Sequence, residues 1–126
     1  MLAKACRLKS PGLFKRTLAG KRFCSNRFFT VFTLRHHQPQ PKTKRPQFGI
    51  VISKKVDKRA AVRNKIKRRL REIIRTHLLI SAPTEALAPY RCVVIIVRHD
   101  AVEATYQQLD TLLTRCFNLN NDKPVQ

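Results

Sequence analysis

The stretch from Lys54 to Leu78, KKVDKRAAVRNKIKRRLREIIRTHL, limits the possible fold more than any other part of the chain. Its apolar residues Val62, Ile66, Leu70, Ile73, Ile74 and Leu78 recur in steps of four, four, three, one and four. That spacing places them on one side of an α-helix. Arg63, Asn64, Lys67, Arg68, Arg71 and Arg75 project from the other sides. Eleven basic residues stand among only two acids, Asp57 and Glu72. A merely solvated helix interleaves acids as i,i+4 partners of its bases. Here the bases repel one another unless a partner neutralises them. The pattern therefore predicts a helix from Ala60 to Leu78, with one face in a protein core and the other against a polyanion.

The whole chain extends this reading. A formal charge of +20 and a pI near 11.2 point to nucleic acid first and to an anionic membrane surface second. With 126 residues and 43% hydrophobic content, one domain with a true core is expected, folded over about residues 7–117 with a mobile N-terminus and C-terminal tail. No apolar run approaches the ~20 residues of a membrane span, and no hydrophobic signal core opens the chain. The stretch before Asp57, which contains no acid, superficially resembles a transit peptide, but the same residues read as folded elements. Cys6, Cys24, Cys92 and Cys116 show no CxxC spacing, and only His36 and His37 are adjacent, which disfavours zinc. Cys92 in an apolar strand and Cys116 on an apolar helix face read as small buried hydrophobes. Reduced thiols and a cytoplasmic protein are expected.

Taken in order, Ser10-Pro11 marks the start of a short helix from Pro11 to Leu18, which Gly20 stops. Arg27 to Leu34, RFFTVFTL, is a strand with Phe28, Thr30, Phe32 and Leu34 on one face and Phe29, Val31 and Thr33 on the other. His36 to Pro46 is a basic, Pro-rich connection. Gln47 to Ser53 is a second strand. Asp57 is placed as a cap of the basic helix. Ser81 to Pro89 is a loop, and Arg91 to Val97 is a strand covered on both faces. Asp100 is placed as the cap of a last helix from Ala101 to Cys116. The order α-β-β-α-β-α, with a strand–helix–strand unit around the basic helix, predicts an α+β fold: a two-layer α/β sandwich with a parallel strand pair in a mixed sheet.

No nucleotide-binding or zinc-protease motif is present. Of seven carboxylates, Asp57 and Asp100 read as caps and Glu72 as a partner of Arg68 or Arg75, so no general acid/base pair emerges. If the chain serves catalysis, the reactive centre belongs to a partner. Basic side chains with aromatics on a sheet favour RNA of single-stranded character over duplex DNA. Phe14 reads as core or as a stacking platform, with core favoured on composition alone.

KKVDKRAAVRNKIKRRLRE, from Lys54 to Glu72, resembles the signature of the bacterial ribonuclease P protein subunit. Arg63-Asn64 matches its Arg-Asn-Arg core; Lys65 replaces the second Arg and loses the planar fork. Arg7-Leu8-Lys9, Phe14, the Asn26-Arg27 pair before an aromatic strand, FGIVISKK and the apolar strand before the final helix follow in family-like order. The Pro11-Gly12 helix start and the long loop after His36 depart from the family pattern.

The resemblance implies a fold similar to a ribosomal-protein domain, with a left-handed β-α-β crossover where the right-handed form is the default. It implies a protein monomer in a 1:1 ribonucleoprotein that removes the 5′ leader from precursor tRNA. The RNA would perform the hydrolysis with Mg²⁺ that it mainly binds itself, with no catalytic residue and no metal ligand on the protein. Lys54, Lys55, Arg59, Arg63, Asn64, Lys65, Lys67, Arg68 and Arg71 match positions facing the catalytic RNA, while Arg69 flanks the buried stripe. Phe14 and Phe32 match a leader-binding cleft, and Leu18 occupies a cleft position that is often aromatic. A ribosomal or other structural RNA-binding protein is the alternative. A membrane partner and DNA are not expected.

Overall fold

The computed structural model describes residues 6–20, 22–36, 38, 45–80, 87 and 89–117. Most of the predicted connection His36 to Pro46, most of the loop Ser81 to Pro89 and the tail beyond residue 117 lie outside the described residues. The elements are α1 (Pro11–Leu18), β1 (Arg22–Ser25), β2 (Phe29–Arg35), β3 (Gln47–Val51), α2 (Ala60–Ile73), β4 (Tyr90–Val97) and α3 (Tyr106–Cys116). They form one mixed sheet in the order β1-β2-β4-β3. β2 is antiparallel to both β1 and β4, and β3 and β4 are the expected parallel pair, with α2 in the connection between them.

β4 fills the centre because both its faces are apolar. Val93, Ile95 and Val97 join Phe29, Val31 and Phe48 beneath Ile66, Leu70, Ile73 and Ile74, with Leu109 and Leu113 of α3. Cys92 and Val94 face the opposite way and are covered by Leu13, Phe14 and Leu18 of α1. Two helices therefore load one face of the sheet and a single short helix the other. α1 starts as the sequence dictates: Ser10 Oγ accepts from the Leu13 N–H at 3.3 Å, with Pro11 at the first helical position.

Several expectations are corrected. β1 adds a strand that the sequence reading missed, because four residues with a bulge show no alternation. β2 starts at Phe29 rather than Arg27. Asn26 Oδ1 accepts from the N–H groups of Phe28 and Phe29 at 2.8 and 3.1 Å, and this turn drops Phe28 into the α2–α3 core instead of the Phe32 face. The basic helix is α-helical only to Ile73 and continues as a π-helix from Ile74 to Ile80. Ile73–Leu78 and Ile74–Leu79 are each five apart, so a wider turn keeps all four buried.

Neither Asp57 nor Asp100 is a helix cap. Arg59 holds the first N-cap position, and Asp57 lies two residues before it, accepting the Arg59 N–H at 2.8 Å. α3 begins at Tyr106 behind a capping box: Thr105 Oγ1 accepts the Gln108 N–H at 3.1 Å, and Gln108 Oε1 accepts the Thr105 N–H at 2.9 Å. This reciprocal pair outcompetes Asp100, which sits in a 3₁₀ turn, His99–Glu103, at 3.6 Å from Arg27.

The reduced-thiol expectation fails at one pair. Cys24 and Cys116 form a disulfide across 92 residues, with their Cα atoms 6.0 Å apart. The register shift between Arg22 and Cys24 leaves Phe23 as the extra residue, and Phe23 and Cys24 both pack against the α2–α3 core. Phe23 stacks on Phe117 at 5.1 Å, and Tyr90 closes edge-on against both rings. Cys6 and Cys92 remain free, and burial pushes the Cys92 thiol up. Among the described residues no helix is long and apolar enough to cross a membrane.

Candidate nucleic-acid interface

Cross-strand pairing lines up Arg22, Phe32, Val94 and Gly49 in one row from β1 through β2 and β4 to β3. Paired residues share a sheet face, so all four lie on the side that carries α1. The Phe14 ring of α1 lies directly over Gly49. A Cβ at position 49 would come within 2.5 Å of Phe14 Cε1 and Cζ. Only glycine lets an aromatic ring approach the strand backbone this closely.

Eight residues of α1 do not cover a four-stranded sheet. Cys92 and Val94 are fully buried beneath it, whereas Thr30, Phe32, Ile96 and Val51 on the same face stay partly exposed. Leu18 packs with Phe14 against the buried pair. Phe32 stands outside both hydrophobic clusters. The result is an open apolar strip beside α1 with an accessible ring in its floor, a surface suited to stacking unpaired bases. The sequence-predicted trio of Phe14, Leu18 and Phe32 is thus brought to one sheet face. Phe14 and Leu18 belong to its packing, and Phe32 is partly exposed and outside both clusters.

The basic residues occupy a different surface. β3 floors the aromatic strip at Gly49, ends at Val51 and leads into exposed Lys54 and Lys55, from which the chain passes to α2 on the opposite side of the sheet. On α2, Asn64, Lys65 and Arg68 are exposed, and Lys67 and Arg71 are half-buried along the flanks. Arg59 binds Asp57 through both carboxylate oxygens at 3.1 and 3.0 Å. The Arg59 hydrogen bonds hold the Asp57 carboxyl down to about 2 from an ordinary value of 3.8. Arg63 reaches back to donate to the carbonyls of Asp57 and Lys58 at 2.9 and 3.0 Å. It fastens the turn that enters α2 even though Asp57 does not cap it.

Arg69 donates to the Ala104 carbonyl at 3.0 Å, tying α2 to the segment before α3. Arg75 binds Glu72, whose carboxyl is lowered by that hydrogen bond. Among the described residues, the remaining cations of α2 have no comparable acid. Two acids on the helix and its approach are committed to Arg59 and Arg75, and among the described residues no group of three or more His, Cys, Asp and Glu side chains could hold a metal.

Arg22 is the member of this constellation that the sequence reading missed. Its placement depends on β1 and on the bulge at Phe23, neither of which has a signal in residues 20–26.

Comparison with known proteins places the chain in a family. The family model described as Ribonuclease P matches residues 2–119. The ribonuclease P protein component of Rippkaea orientalis is 39% identical over 110 residues, covering 84% of this chain and 79% of that protein. That of Cyanothece sp. is 52% identical over 63 residues, which are 50% of this chain and 44% of the relative's length. Among solved structures, the RNase P protein of Staphylococcus aureus superposes with a TM-score of 0.71 at 28% identity, covering 92% of this chain and 95% of that one.

Proposed function

The chain belongs to the ribonuclease P protein family, and on that premise we propose that it is the protein subunit of a tRNA-processing ribonucleoprotein. It binds a catalytic RNA through Lys54, Lys55 and the exposed side of α2, and the 5′ leader of precursor tRNA through the strip beside α1. The observation that carries this reading is the division of labour across the sheet. Exposed cations with no acid partner among the described residues lie on the α2 side, and a partly exposed aromatic floor lies on the α1 side. Two nucleic-acid segments can therefore be held at once without competing for one surface.

Hydrolysis is the work of the RNA and of Mg²⁺ bound mainly there. The contribution of the protein is affinity and electrostatics. Lys and Arg displace counterions from phosphates, giving binding that weakens steeply with salt. Stacking on Phe32 favours a substrate with a leader over the product without one. The particle contains one copy of the protein per RNA and acts in the cytoplasm.

Reconstitution tests this. The purified protein, a bacterial ribonuclease P RNA and a precursor tRNA are mixed at low Mg²⁺ and near-physiological salt. Leader release that depends on the protein is the expected result. Tight RNA binding with no gain over RNA alone would instead place the chain among structural RNA-binding proteins.

A further inference from the structure

We propose that Arg22 is a phosphate contact of the aromatic strip, engaging the nucleotide that stacks on Phe32. The proposal rests on the leader-binding role given above to that strip and adds a residue to it. β1 is the edge of the sheet, and its bulge sends Phe23 and Cys24 into the α2–α3 core. Arg22, directly before the bulge, is left paired with Phe32 on the open face. Partners across antiparallel strands sit about 5 Å apart, so the exposed guanidinium of Arg22 and the partly exposed ring of Phe32 are neighbours. No described side chain binds Arg22 in an ion pair.

On the other side of Phe32 the strip turns from apolar to polar at the Ser25–Thr30 pair, whose hydroxyls lie 3.2 Å apart. An unpaired nucleotide on Phe32 thus has a ring for its base, and at the sheet edge a cation for its backbone. Arg supplies the planar fork that phosphate accepts in a bidentate manner. The disulfide at Cys24, two residues on, anchors β1 to the end of α3 and fixes where the strip ends.

The test uses the full chain assembled with ribonuclease P RNA, with Arg22→Ala, Arg22→Lys and Phe32→Ala variants whose thermal melts match the parent. Affinity is measured for a precursor tRNA with a long leader, for mature tRNA, and for a precursor whose leader carries one neutral methylphosphonate linkage moved stepwise. Arg22→Ala is expected to lose about three- to tenfold on the precursor and nothing on mature tRNA, with Arg22→Lys intermediate. One linkage position should weaken the parent but not Arg22→Ala. If Phe32→Ala loses leader preference and Arg22→Ala does not, the Arg22 contact is wrong while the strip remains. Equal losses by Arg22→Ala on precursor and mature tRNA overturn the contact as well. If neither variant changes leader preference, the strip itself is not the leader site.

Discussion

The Phe14 ring edge lies so close over Gly49 that a Cβ on residue 49 would come within 2.5 Å of Cε1 and Cζ. Phe14, with Leu13 and Leu18, holds α1 on Cys92 and Val94. The position of α1 in turn decides how much of the sheet remains open.

Gly49→Ala should therefore push the Phe14 ring off the strand. The expected cost is about 1–3 kcal/mol, the range for overpacking a closely filled site, read from urea unfolding. In a Phe14→Ala background the same change should cost much less, because the obstructing ring is gone. Strict additivity would mean that the two residues do not meet.

Phe14→Ala and Phe32→Ala should both weaken precursor tRNA binding while leaving mature tRNA binding nearly unchanged. They should differ in stability. Phe14 packs in a cluster and Phe32 does not, so only Phe14→Ala should also lower the melting temperature. Equal losses on both tRNAs would assign the rings to the core alone.

Arg63 and Arg68 separate fold from binding. Arg63→Ala removes two charge-assisted hydrogen bonds to carbonyls and should cost about 1–3 kcal/mol of stability as well as RNA affinity. Arg68 is exposed, so Arg68→Ala should weaken RNA binding and reduce its salt dependence with the melt unchanged. A stability loss at Arg68, or none at Arg63, would contradict these placements.

Asp57 should titrate near 2, measured from its carboxyl resonance, and Arg59→Ala should return it toward 3.8. Because the folded-state value is depressed, the contact stabilises the fold fully above the ordinary carboxylate value. That contribution is lost as pH falls from 3.8 through about 2. The stability advantage of the parent over Asp57→Asn should therefore be present at neutral pH and vanish over that interval.

Reductant should lower the melting temperature of the parent and leave a Cys24→Ser/Cys116→Ser variant unaffected. A cross-link across 92 residues removes unfolded-state freedom equivalent to about 2–5 kcal/mol. Two free thiols at Cys24 and Cys116 in oxidised, folded protein would refute the pairing.

The basic amphipathic helix, α1 and the central strand are legible in the sequence because each rests on a signal within one segment: periodicity, capping or an unbroken apolar run. Ile66, Leu70 and Ile73 are buried where their spacing puts them. What the sequence conceals depends on pairing between distant segments. β1 exists through its partner β2, Phe28 faces inward because of the Asn26 turn, and Cys24 meets Cys116 only after α3 packs. Asp100 misled because a residue of capping type precedes a better box at Thr105. The site follows the same division. The cations could be read from one helix, whereas Arg22 required the register of β1 and the openness of Phe32 required the shortness of α1.

β1 and β3 are the outer strands of the sheet, and each limits further strand addition in its own way. Arg7 forms a parallel bridge to Phe48, and the Leu8 N–H donates to the Phe48 carbonyl at 2.8 Å, so these two residues occupy the free side of β3 at Phe48. β1 is four residues long, bulged and basic at its start. A sheet this rich in valine and isoleucine would otherwise offer a template for self-association. Removing Arg7 and Leu8 would expose the Phe48 position of the β3 edge to strand addition.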